Sequence, residues 1–165
     1  MRRNVRPGTM LPMQPEAVPE LLYLDYNCFQ RGFDDPAQVR IRMESDACES
    51  IFEQAAGEGV TLVWSFMHED ENRLCPFTDR KTEIARLSVL CRVRVAPLEP
   101  IRLRALDLQR EMGVGAKDAL HLAAAVHARA DWFVTCDDGI LSKADRLRVA
   151  VRVVDPVDYV LKKRR

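Results

Sequence analysis

From Leu21 onward the chain alternates short apolar runs with longer stretches of helical periodicity. Five runs read as strands: Leu21 to Asp25, Thr61 to Ser65, Arg92 to Ala96, Trp132 to Cys136 and Val151 to Asp155. The first and fourth, LLYL and WFV, are apolar without alternation, which is the pattern of parallel strands covered on both faces. Between them, Pro36 to Gly57 reads as a long helix closed by Gly57 and Gly59, and Asp79 to Cys91 places Ile84, Leu87, Val89 and Leu90 roughly on one side. Pro97 and Pro100 mark a break, after which helices are expected over Ile101 to Met112 and Lys117 to Arg129. Strands alternating with helices predict an α/β domain: a three-layer α/β/α sandwich around a mainly parallel sheet.

Residues 1–20 carry Pro7, Pro12, Pro15 and Pro19 with little periodicity and are expected to form a loose tail. The folded domain is expected over 21–161, followed by a basic tail at 162–165.

The chain has 165 residues, enough for one domain with a sizeable core, and its 25 basic and 25 acidic side chains cancel. No global field therefore advertises nucleic acid or an anionic membrane, and any such contact must be local. Basic residues cluster at Arg2, Arg3 and Arg6 and at Lys162 to Arg165. The five cysteines lack close pairing, so we read them as reduced, small apolar fillers rather than a disulfide or zinc framework. No apolar stretch approaches the roughly 18 residues a membrane span needs, and a soluble, cytoplasmic protein is the expectation.

The acids at the strand ends carry the chemical signal. In an open α/β sheet ligands bind at the carboxyl ends of the strands. Asp25 closes the first strand, Ser65 closes the second with Glu71 on the helix after it, Asp118 opens a helix after a glycine turn, and Asp137 follows the fourth strand. Each has a plain explanation as a helix cap, a dipole partner, a turn or a solvated face. Together they would converge on one sheet edge, where their mutual repulsion calls for a divalent cation. Oxygen donors suit Mg²⁺ or Mn²⁺, and a hard cation held by carboxylates points to phosphodiester hydrolysis.

These residues resemble the PIN-domain nucleases over about Leu21 to Val160. The motifs are LYLDYN, with Asp25 and Asn27; WSFMHEDEN, with Ser65 and Glu71; KDALHLAAA, with Asp118; and FVTCDDGIL, with Thr135 and Asp137. The resemblance implies Asp25, Glu71, Asp118 and Asp137 as catalytic, metal-binding acids for Mg²⁺ or Mn²⁺, with Asn27, Ser65 and Thr135 orienting a carboxylate or water. It further implies cleavage of RNA, usually single-stranded. A small antitoxin protein as partner, as in toxin–antitoxin pairs, and a homodimer are consistent with it. Glu69 and Asp70 compete with Glu71 for the second position, and Asp138 with Asp137.

His121 and His127 are read first as packing residues, with a substrate role for His121 left open, and Trp64 and Trp132 as core. Arg73, Arg80, Lys81 and Lys117 are the rim cations expected to meet phosphate. Two other classes stand beside the nuclease: a catalytically weak PIN-like interaction module acting through a protein partner, and a receiver or haloacid-dehalogenase-like phosphatase. Asn27 occupies the position where such a phosphatase needs its second acid.

Overall fold

A computed structural model describes residues 18–162. Among the described residues, five strands and eight α-helices follow one another. The strands are β1 (Glu20–Leu24), β2 (Val60–Ser65), β3 (Val93–Val95), β4 (Trp132–Val134) and β5 (Arg152–Val154). The helices are α1 (Tyr26–Gln30), α2 (Val39–Ala56), α3 (Phe66–Leu74), α4 (Thr78–Ser88), α5 (Glu99–Met112), α6 (Ala116–His127), α7 (Asp138–Leu141) and α8 (Pro156–Lys162).

All strand pairings are parallel, in the order β3-β2-β1-β4-β5. Sequence order reverses at β1: the chain moves outward through β2 and β3, then returns to add β4 on the other side. The connections leaving β1 and β4 therefore part at their carboxyl ends, opening the crevice where α/β sheets take ligands.

Side chains alternate across the sheet and divide the core in two. Leu22, Leu24, Leu62, Trp64 and Val134 pack with Ile51 of α2, Ile84 of α4 and Tyr159 of α8. Tyr23, Val63 and Phe133 face Ile101, Ala105 and Leu108 of α5 and Ala119, Leu122 and Ala123 of α6. Alanine on the inner face of α6 lets that helix lie close to the strands. The result is the three-layer α/β/α arrangement expected from the sequence, with the sheet wholly parallel.

Differences from the sequence reading lie at the edges. Glu20, assigned to the tail, opens β1, while residues 1–17, including Arg2, Arg3 and Arg6, lie outside the described residues. α4 ends at Ser88, so Val89 and Leu90 follow the helix rather than belong to it. Lys162 closes α8, a helix the sequence reading lacks, and residues 163–165 again fall outside. Gly113 ends α5 in the left-handed region at φ 60°, the conformation for which glycine is suited at a helix C-terminus. Among the described residues no helix is long and apolar enough to cross a membrane.

Candidate active site

Asp25 sits at the end of β1, where the strand turns into α1, and only 8% of it is exposed. Its Oδ1 accepts the Tyr26 backbone N–H at 2.7 Å, capping α1. Its Oδ2 accepts from Thr135 Oγ1 at 2.7 Å and from Asn27 Nδ2 at 2.8 Å. Asn27 Oδ1 in turn takes the Cys136 backbone N–H at 3.1 Å, and Thr135 Oγ1 takes that of Asp137 at 3.0 Å. Asn27 and Thr135 thus fasten the carboxylate on β1 to the loop after β4.

Asp137 begins α7, its Oδ1 accepting from Gly139 at 2.6 Å and Ile140 at 3.1 Å. Asp138 instead faces outward, where Arg40 grips both its oxygens at 2.9 and 2.6 Å. Across the crevice, α3 carries three successive acids in diverging directions. Glu69 takes the Trp64 indole N–H at 3.1 Å and Asp70 pairs with Arg73 at the surface. Glu71 turns inward, contacting Lys117 through Oε1 and His121 through Oε2 at 2.8 Å.

Beneath Glu71 runs a buried polar chain. His121 Nδ1 lies 2.8 Å from Tyr23 Oη, which lies 2.6 Å from Ser65 Oγ. Ser65 caps α3 reciprocally with His68: the serine oxygen accepts the His68 backbone N–H, and His68 Nδ1 accepts the Ser65 backbone N–H at 2.9 Å. His68 Nε2 then donates to the Leu24 carbonyl at 2.7 Å. One proton arrangement satisfies every member: Ser65 donates to Tyr23, Tyr23 to His121 Nδ1, and His121 Nε2–H to Glu71. Burial, with the nearby His121, holds His68 well below the ordinary imidazole range, which suits its neutral state here.

Ser65 therefore supports Glu71 from a distance through Tyr23 and His121, rather than orienting an acid directly. Neither Tyr23 nor His68 figured in the sequence reading. His121 is 1% exposed, so its place is in this chain and not at the substrate surface, while His127 is exposed on the far end of α6. Trp64 and Trp132 are buried, as expected of core residues.

The acids feel one another. Burial raises the Asp25 carboxyl above its ordinary range, with Glu71 adding to the rise and His121 and Thr135 opposing it. Asp118, half-buried at the start of α6, is raised first by burial and then by the charge of Asp137. For Glu71 burial also acts upward, but His121 and Lys117 overcome it and leave the carboxyl low. Even so, the four do not close into one shell: among the described residues, no three of these acids bring an oxygen each within 4.8 Å of one another.

The rim cations are largely engaged elsewhere. Arg80 donates to the Phe33 carbonyl and stacks over Phe33 and Phe77, and Lys81 donates to the Arg73 carbonyl. Lys117 alone of the four stands among the acids. A groove of about 390 Å³ beside it is lined by Tyr26, Met67, Glu71, Leu74 and Lys117.

Parallel strands in the order β3-β2-β1-β4-β5, with Asp25 and Asp137 at the carboxyl ends beside the reversal at β1, define an α/β protein with an acidic crevice at the switch point of its sheet. The family comparison then makes the assignment: the PIN domain family model matches residues 67–147, and the chain belongs to the PIN-domain family. PIN domains are generally nucleases and typically use divalent metals. The matched region contains Glu71, Asp118 and Asp137, and Asp25 precedes it. No curated protein matches the chain.

Proposed function

We propose that this protein is a metal-dependent ribonuclease that hydrolyses phosphodiester bonds in single-stranded RNA. The observation that supports it is the fastening of Asp25 across the β1/β4 crevice by Asn27 and Thr135, opposite Glu71 and beside Asp118 and Asp137. The donor set fits a hard divalent cation, because it is oxygen only and because Asp25 and Asp118 carry repulsion that a cation would relieve.

Asp25, Glu71, Asp118 and Asp137 would hold Mg²⁺ or Mn²⁺, which when bound supplies Lewis acidity toward a phosphate oxygen and a water of lowered pKa. The side chains divide the remaining work. Asn27 and Thr135 fix the direction of the Asp25 carboxylate, and His121, held by Tyr23, fixes that of Glu71. Lys117 neutralises Glu71 in the free protein and stands where a substrate phosphate would approach.

The experiment is cleavage of a labelled single-stranded RNA with Mn²⁺ by the native protein and by Asp25→Asn and Asp118→Asn. Both variants lose activity while keeping native circular dichroism. Wild-type-like cleavage by either folded variant refutes the assignment.

A toxin-like role, silenced by a small antitoxin protein, is proposed on one further observation. Leu74 lines the groove beside Glu71 and Lys117 and is 73% exposed, apolar surface that a protein partner would cover. Addition of a cognate partner should then suppress cleavage, and Leu74→Glu should restore it.

A further inference from the structure

Three cysteines from distant positions meet on the opposite face of the same loops. Cys28 on α1, Cys48 on α2 and Cys136 after β4 are all buried, and their Sγ atoms lie within 4.8 Å of one another, the Cys28–Cys136 pair at 4.0 Å. None is in a disulfide. As fillers they would need no such convergence.

A thiolate-bound ion has a definite size. With metal–sulfur bonds of about 2.3 Å, a planar three-coordinate site places its sulfurs about 4.0 Å apart. One edge of the triangle already has that length, and the others, within 4.8 Å, need to close by no more than about 0.8 Å. We propose that Cys28, Cys48 and Cys136 form a binding site for a thiophilic d¹⁰ cation, with monovalent copper as the best match for three thiolates and no fourth protein ligand. Soft sulfur donors select Cu(I) and its class over the hard ions suited to the acids.

Two features support it. Arg31 lies beside the cluster, its charge acting on both Cys48 and Cys136, and its Nε is buried without a hydrogen-bond partner. Its Nη atoms pair with Asp34 and the buried Glu44, so the guanidinium lends the sulfurs only a share of its charge against the negative charge that three thiolates would bring. A groove of about 560 Å³, lined in part by Phe29, Gly32, Ser45 and two of the three cysteines, Cys28 and Cys48, offers an ion a path toward the cluster. Binding exchanges three S–H bonds for three S–metal bonds and releases up to three protons, with no change in oxidation state.

The site is separate from the acids yet tied to them. Cys28 follows Asn27 and Cys136 precedes Asp137, so an ion there would clamp α2 to the loop that carries the Asp25 support.

The test uses the reduced full-length protein under anaerobic conditions. Cu(I) is titrated against a chromogenic competitor, and Cd²⁺ is followed by its thiolate charge-transfer absorption. One equivalent is expected, with affinity falling more than about 100-fold in Cys48→Ser and Cys48→Ala, since loss of a direct ligand exceeds the 10–100-fold cost of an outer partner. Cys75→Ser and Asp118→Asn should bind as the native protein does, which separates this site from the acids. The metal should also raise the melting temperature of the native protein and not of the Cys48 variants. Failure of both ions to bind, binding that survives both Cys48 substitutions, or loss equal in Cys75→Ser overturns the proposal.

Discussion

Tyr23→Phe tests the buried polar chain most directly. The Tyr23 ring is fully buried between Phe133, 5.4 Å away by centroids, and His68, at 4.8 Å, and phenylalanine keeps those contacts. Only the hydroxyl is lost. Ser65 Oγ retains His68 as a partner, whereas His121 Nδ1 has no other hydrogen bond and becomes a buried orphan. The lost bond to Ser65 is worth about 1 kcal/mol, and the orphaned nitrogen costs about 1–3 kcal/mol. The sum is about 2–4 kcal/mol, against a total stability of about 5–15 kcal/mol for an ordinary domain. Urea denaturation should show that loss with an unchanged m-value, and the melting temperature should fall by roughly 5–15 °C at about 2–4 °C per kcal/mol. Because His121 also steers Glu71, apparent Mn²⁺ affinity should drop by about 10–100-fold, the usual cost of removing an outer-shell partner. A Tyr23→Phe protein within about 0.5 kcal/mol of native, with unaltered Mn²⁺ affinity, would show that the chain does not carry the weight given to it.

The remaining predictions concern charge and backbone. Asp25 and Asp118 are raised when folded, so their ionised forms oppose folding at neutral pH and that cost disappears as pH falls through their raised range. Glu71 is lowered, so its contribution is present above its unfolded value of about 4.3 and is lost below it. Mn²⁺ at a fixed concentration, 100 times its dissociation constant at pH 7, should accordingly stabilise by about 2.7 kcal/mol there and by less as pH falls through the raised range of Asp25 and Asp118; a pH-independent shift in calorimetry would contradict this. Glu44, 3% exposed, holds Arg31 at 2.7 Å and Arg40 at 2.8 Å, so Glu44→Gln should cost about 3 kcal/mol in chemical denaturation. Gly113→Ala meets no neighbour within 4 Å, and its φ of 60° alone should cost about 1 kcal/mol.

What the sequence disclosed followed from locality. The central strands were readable because parallel strands buried on both faces are short apolar runs, and LLYL and WFV have no other use; the edge strands β3 and β5, with exposed Arg94 and Arg152, were readable from their valines and their place between helices. The places of Asp25 and Asp137 were readable because chain order in a parallel sheet dictates which residues share its carboxyl edge. α8 escaped because Val-Asp-Pro looks like a turn, although proline is at home in a helix's first position, where its missing N–H is not needed. His68 escaped because it stands where a capping box ordinarily has glutamate or glutamine; serine three residues ahead was the available signal. The cysteine triangle could not be read, since positions 28, 48 and 136 meet only after α2 folds against the loops of β1 and β4.

Asp137 spends Oδ1 on the amides of Gly139 and Ile140, and Asp25 spends Oδ1 on that of Tyr26. Each aspartate is thus pinned by its own turn, and Asp25 is pinned a second time through Oδ2 by Thr135 and Asn27, so both carboxylates are aimed before anything enters the crevice and spend no rotamer entropy when it does.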